Sequence, residues 1–366
     1  MGNLKTAIAS TYSIIIPEET MARVATYFSA VQSGQLQAGQ KLKSRLKHMD
    51  LRTLRDFDFF GELLDTKVPQ IFAESAVVGD GTDWNLIELG VLGDVSIAVP
   101  VTVFDDGNHR TPHSHPNPFS ATLVFTPGAL LENGQGHPPA DWAEATDSKG
   151  KLLSEGYYQL YRRRLLPVLR FVNACAGRPR SALLTVPGVG CGQFAGPFRG
   201  QLGRQLQAVI ERMLHEFGST LPNVKAVYFD PYNECGNNRT EIHGISMMVR
   251  PLTILGNERK SQLCHPSAYA ENLDAFSDCA LFSIVAWDHV SWPGNDFFLD
   301  ARATDDGVKA AATSSMSGIT GVPGIYNQAR GRFQPPSTYR NWNEVVLHHR
   351  LRLWNPSAVW NSTPSA

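Results

Sequence analysis

Cysteine, net charge and long apolar runs are all scarce in this sequence, and each scarcity closes off a class of protein. The five cysteines, Cys175, Cys191, Cys235, Cys264 and Cys279, are odd in number and form no C-x-x-C pair. That argues against a disulfide framework or a cysteine zinc site and fits a reducing compartment. Basic residues number 33 against 34 acidic ones, a net charge of −1, without the excess of a general nucleic-acid binder. Apolar runs are short, such as Ile97 to Val101, and none approaches the ~18 residues of a membrane span. The N-terminus has no basic region followed by a long apolar stretch, so no secretory signal is expected. A cytoplasmic monomer with neither nucleic acid nor membrane as partner is the expectation.

What is present is an ordinary globular mixture, 42% hydrophobic over 366 residues, enough to bury a large core. Residues 17 to about 75 read as helical. Pro17-Glu18-Glu19-Thr20 suits a helix start, and Leu42, Leu46, Met49, Leu51 and Leu54 fall at roughly helical spacing among basic residues. We read residues 1–80 as a helical subdomain that packs on the main domain or holds a protein substrate, and 81–366 as the main domain. From about residue 85 short β-rich runs alternate with helices. Strands are expected at 95–104, 121–126, 182–186, 224–229, 244–249 and 281–287. Helices are expected at 154–176, with a kink or break at Pro167, and at 201–217. This is an α/β pattern, a sheet covered on both faces. Ligands of such sheets sit beyond the carboxyl ends of the strands, so the loops after Val186, Phe229 and Trp287 matter most.

The first loop is Pro187-Gly188-Val189-Gly190-Cys191-Gly192-Gln193-Phe194-Ala195-Gly196-Pro197, between a strand and a helix. Its glycines let backbone amides approach an anion, and the helix adds its positive end. A diphosphate suits it, although a bare glycine loop is also a common tight turn. It is neither a Rossmann nor a Walker loop, since G-x-G-x-x-G and Gly-Lys-Ser/Thr are both absent.

This loop resembles the second phosphate loop of macrodomains. The resemblance implies that Gly188, Gly190, Cys191, Gly192 and Gln193 wrap the diphosphate and distal ribose of ADP-ribose, with Phe194 packed near the ribose. The stretch 283–313 resembles the macrodomain strand, Asn-rich turn and catalytic loop. Asn295 falls at the ribose-binding asparagine, and Asp305-Asp306-Gly307-Val308 falls at Gly-Gly-Val. Two aspartates replace glycines there, and the two loops occur in reversed chain order, as a circular permutation of the sheet would produce. Asp288, Asp296 and Asp306 complete the pattern. Their spacing resembles the family of the Legionella effector MavL, macrodomain-like ADP-ribosylhydrolases that release ADP-ribose from an arginine of ubiquitin. The resemblance implies a macrodomain-like mixed sheet with helices on both faces and permuted loops. It also implies three catalytic aspartates, ADP-ribose and an ADP-ribosylated protein, ubiquitin among the candidates, as partners, and no cofactor. For a secreted effector the location would be the host cytosol.

The chemistry agrees. Cleaving a ribosyl–guanidinium bond needs stabilisation of an oxocarbenium-like centre, activation of a water and departure of nitrogen, and carboxylates serve all three. Clustered aspartates raise one another's pKa. Taken singly, each aspartate also fits a turn or cap. The loop Asp230-Pro231-Tyr232-Asn233 should border the same cleft, with Tyr232 and Asn233 touching adenosine or ribose or simply forming a turn. Residues 317–327, with glycine at every third position, read as a flap or a plain surface loop. His109, His113 and His115 could hold zinc or iron, but the prolines around them suggest a loop and no metal is assigned. Magnesium at the aspartates is the other metal option. Two readings compete with the hydrolase: a module that binds ADP-ribose without cleaving it, and a metal-dependent nucleotide hydrolase.

Overall fold

The computed structural model describes residues 11–71, 83–132, 138–177, 180–257, 262–271 and 273–360. Nine strands make one mixed sheet: β1 (Ser13–Ile15), β2 (Ser96–Asp105), β3 (Ser114–Pro127), β4 (Ala182–Pro187), β5 (Val224–Asp230), β6 (Asn238–Ile242), β7 (Ile245–Val249), β8 (Ala280–Trp287) and, after a separate hairpin of β9 (Ile325–Asn327) and β10 (Arg332–Gln334), β11 (Val359–Trp360). The order across the sheet is β11-β1-β2-β3-β8-β4-β5-β7-β6. The central five, β3, β8, β4, β5 and β7, are all parallel. These strands read as near-continuous apolar runs because both of their faces are covered.

Alternate residues feed two separate cores. Leu183, Tyr228, Leu281 and Val285 join the cluster that holds the N-terminal helices and helix Asp305–Ala312. Leu184, Phe229, Phe282 and Ile284 join the cluster on the other face, with helices Ser154–Cys175 and Leu202–Phe217. The period-two geometry of a strand requires this division. Helix Ser154–Cys175 runs through Pro167 without a break.

Helices Glu18–Gln32, Gln40–Leu46 and Asp56–Leu64 follow β1, which already lies in the main sheet. Val24, Phe28, Leu42 and Phe60 share one apolar cluster with strand residues Ile97 and Phe125. The expected boundary near residue 80, and the end of the expected helical stretch, fall within 72–82, outside the described residues. Met49 lies in a turn and is partly exposed. The expected loop around the histidines is shorter than the sequence suggests. His115, Pro116 and Pro118 lie in β3, where a register shift between Val103 and Asp105 accommodates the prolines. The glycine-spaced stretch 317–327 forms part of helix Ser315–Thr320 and then β9 rather than a free loop.

Candidate functional site

The glycine loop and the aspartate loop leave β4 and β8, which are paired neighbours, so their reversed chain order leaves them side by side. Below them lies a cleft of about 750 Å³. Of the sequence-predicted residues, Gly188, Cys191, Gly192, Tyr232, Asn233 and Asp305 line it. Gly192 faces open space where a Cβ would stand, and Tyr232 is 69% exposed.

Gly190, Gln193, Phe194, Asn295 and Gly307 do not line the cleft, and four of them have other work. Gly190, at φ +75°, turns inward, where a Cβ would stand 2.6 Å from the Tyr161 hydroxyl and 2.7 Å from Ala129 N. That hydroxyl donates to Val189 O at 2.5 Å and accepts from Ala129 N at 3.1 Å, fastening the glycine loop to the loop after β3. Phe194 packs against the apolar core. Asn295 spends its amide on the backbone of Ile71, accepting from its N–H at 2.8 Å and donating to its carbonyl at 2.7 Å. At Gly307 any Cβ would collide with the Asp296 carboxylate, so glycine is required there for an internal contact rather than for a ligand. Gln193 is exposed and opens the short helix Gln193–Phe198.

Several cleft residues were given no role in the sequence reading, Asp230 among them although its loop was expected at the cleft. Asp230 is the last residue of β5 and is 1% exposed, with Oδ2 lacking any hydrogen-bond partner. Burial pushes its carboxyl well above the usual range, against the opposing pull of Lys309 and the hydrogen bond from Gln262. Lys309 Nζ donates to Ile284 O at 2.7 Å, to Asp305 Oδ2 at 3.2 Å and to Gln262. Asp305 also accepts from Ala286 N at 2.8 Å. Arg110 and Arg199 add exposed guanidiniums at the rim. The spacing of Asp305 and Lys309, four apart on a helix, is a readable ion-pair signal. Gln262 and Arg110 arrive only through tertiary structure.

Asp288, Asp296 and Asp306 come together as a cluster, but none of the three lines the cleft. Asp288 accepts from Val290 N and Ser291 N, both at 2.7 Å, and from the Ser291 hydroxyl, so its own turn occupies both oxygens. Asp296 accepts from Ala303 N at 2.7 Å and Thr304 N at 3.2 Å. Asp306 accepts from Asn295 N at 2.9 Å through Oδ2. Thr304, the N-cap of helix Asp305–Ala312, stands between the last two aspartates. Its Oγ1 lies 2.5 Å from Asp296 Oδ1 and 2.5 Å from Asp306 Oδ1. A hydroxyl carries one hydrogen, so Thr304 can donate to only one of the two carboxyls at a time and the pair shares it. Burial pushes the Asp306 carboxyl well above the usual range, and Asp296 and then Asp288 push it further.

The histidines do not converge. His109 Nδ1 meets Ala303 O at 3.2 Å, His113 Nδ1 meets Asp106 Oδ2 at 3.3 Å, and His115 Nε2 meets Leu263 O at 2.8 Å. His109 lines the cleft. Among the described residues no three His, Cys, Asp or Glu side chains are placed to share a metal ion, and no helix is long and apolar enough to cross a membrane.

A parallel-centred sheet with helices on both faces, a glycine loop and an Asp-rich loop over one cleft define a macrodomain-type α/β protein. The model of the macrodomain effector MavL family matches residues 12–339, and the chain belongs to that family. No curated protein matches it. Membership carries ADP-ribose binding or processing as the general activity.

Proposed function

We propose that the protein is a hydrolase that removes ADP-ribose from ADP-ribosylated protein, with arginine as the linked residue and ubiquitin as a candidate carrier. The observation that supports it most is the Asp296–Thr304–Asp306 arrangement, where two carboxyls share one hydroxyl and burial pushes the Asp306 carboxyl well above the usual range. Asp306 is next to Asp305, which lines the cleft. The glycine loop and the two rim arginines suit the diphosphate.

In this reading the bond from the anomeric carbon to the guanidinium nitrogen breaks with its electrons on nitrogen. Water adds to the carbon, and its proton ends on the departing guanidine. Once the loop that carries them turns toward the cleft, Asp306 delivers the proton to the guanidine, and Asp296, the more exposed of that pair, takes one from water, which returns to Asp306 through the Thr304 hydroxyl. Asp288 adds negative charge beside the oxocarbenium-like centre while holding its turn. An aspartate-rich site also suits a cationic, planar leaving group over serine- or glutamate-linked forms.

The test is incubation with arginine-, serine- and glutamate-linked ADP-ribosyl protein, reading released ADP-ribose by mass spectrometry. Fast release from arginine alone is expected. Equal rates on all three would detach the aspartates from leaving-group choice. Binding without release would favour a non-catalytic ADP-ribose reader, which the position of the three aspartates behind the cleft wall also suits.

A further inference from the structure

The segment 67–71, between the N-terminal helices and the sheet, runs along the turn that carries Asp288. Val68 N donates to Val290 O at 3.0 Å and Trp292 N to Val68 O at 2.8 Å, a short parallel bridge. Trp292 Nε1 donates to Lys67 O at 3.1 Å, and Asn295 closes the far end on Ile71. Lys67 itself is 3% exposed. Its ammonium donates to His289 O at 2.6 Å and lies 4.1 Å from the centre of the Trp287 ring. A lysine is seldom buried without a reason, because removing the charge from water is expensive. Here a backbone carbonyl, an aromatic face and a nearby carboxylate offset that cost.

We propose that Lys67 is a positioning residue for the aspartate cluster: its ammonium, bound to the His289 carbonyl, holds the Asp288–Ser291 turn in place. The proposal rests on the hydrolase reading for its kinetic consequence, but not for its structural one. Arg164, on helix Ser154–Cys175, and Asp288 act on it electrostatically, and Arg45, Asp65, Arg350 and Arg352 line a hollow together with Lys67. His289 feels Lys67, Arg164 and Asp141 in turn, and burial keeps its ring below its ordinary pKa. Burial brings Lys67 down to about 7, with Asp288 pulling up and Arg164 pulling down. The ammonium is therefore present below neutrality and fades above it.

Two variants of the full chain test this, Lys67→Met and Lys67→Arg. Hydrogen exchange at the Val290 and Ser291 amides, which Asp288 holds, should quicken by about tenfold or more in Lys67→Met. Turnover on arginine-linked substrate should fall about 10- to 100-fold, as for a misplaced catalytic group. ADP-ribose affinity should stay put, since the cleft does not include Lys67. Wild-type turnover should drop as pH rises through the lysine pKa of about 7. Lys67→Arg should keep its rate above that point. Unchanged exchange at Val290 and Ser291 in Lys67→Met overturns the proposal, whatever the enzyme does. Quickened exchange in Lys67→Met, with no turnover by the wild-type chain, would sink the hydrolase reading and leave the positioning role standing. Should Lys67→Met fail to fold, wild-type exchange one unit below and one unit above that pKa, corrected for intrinsic rates, decides: no difference between the two overturns the proposal.

Discussion

The loops after β4 and β8 leave neighbouring parallel strands, yet they are built in opposite ways. The β4 loop presents bare backbone at Gly192, which fronts open space, while Val189 N and Cys191 N are spent within the loop on Pro187 O and Gly188 O and Tyr161 fastens it from below. The β8 loop is saturated. Asp288 and Asp296 each take two or more hydrogen bonds from their own segment, and Asp306 takes one from Asn295 N and shares the Thr304 hydroxyl with Asp296. A surface meant to receive a diphosphate keeps its donors uncommitted. Groups meant to move a proton gain from being fixed in advance by their surroundings. Under the proposed function the difference would give binding to one loop and chemistry to the other, a division that can be broken from either side.

The largest effect is expected from Asp306→Asn, which keeps shape but not the titrating proton. Release of ADP-ribose should fall about 10²- to 10⁴-fold, the usual worth of a general acid, with calorimetric ADP-ribose affinity intact. Loss of binding with turnover retained would reverse the assignment of the two loops. Gly307→Ala comes next. Its methyl has nowhere to go but into Asp296, and about 1–3 kcal/mol of stability should go with it, as for an overpacked site, read by denaturant unfolding. Gly192→Val probes the other loop. A side chain there projects into open space, so in the folded variant ADP-ribose affinity should weaken about tenfold, or ~1.4 kcal/mol, while the backbone of Gly192, at ψ −120°, costs some stability. Unchanged affinity would remove that loop from the contact surface.

The smallest effect concerns pH. Asp230 has a carboxyl pKa raised in the folded state by burial, above an unfolded value of about 3.9. Its contribution to stability is complete below the unfolded value and is lost as pH rises through the folded one. Asp230→Asn should flatten that decline, leaving the part due to Asp306, which is shifted in the same direction. Unfolding midpoints measured across the acid-to-neutral range provide the check. A variant with the wild-type slope would mean that Asp230 is ionised in the fold.

The framework was readable in the sequence because buried parallel strands must be apolar and short. The residues of β4, β5 and β8 stand within one residue of where hydropathy puts them, and their carboxyl ends locate the cleft. What hydropathy could not supply was which side of a loop each residue presents. Gly190 and Gly192 look alike in sequence, yet one faces Tyr161 and the other faces open space. Asp305 and Asp306 are adjacent on a helix's first turn, so their side chains diverge by a helical step. One meets Lys309 at the cleft and the other meets Thr304 behind it. Thr304 followed by two aspartates was a legible cap signal, but its role between two carboxyls depends on Asp296, eight residues earlier. The work of Asn295 on Ile71 depends on a segment from the far N-terminal region, which no local pattern contains.

The edge of the sheet carries a consequence for synthesis. Strand β1, near the start of the chain, pairs with β11, near its end, at Ile14–Val359 and Ile15–Trp360. In the centre, β3 has to wait for β8, which is made long after it. Contacts so distant along the chain are slow to form, because loop closure is costly before any pairing repays it. A nascent chain emerging from the ribosome would therefore hold β2 and β3 as a hairpin while β3 lacks its parallel neighbour. The polypeptide would carry that unpaired apolar strand edge throughout the synthesis of residues 128–279, the state in which a chaperone matters most.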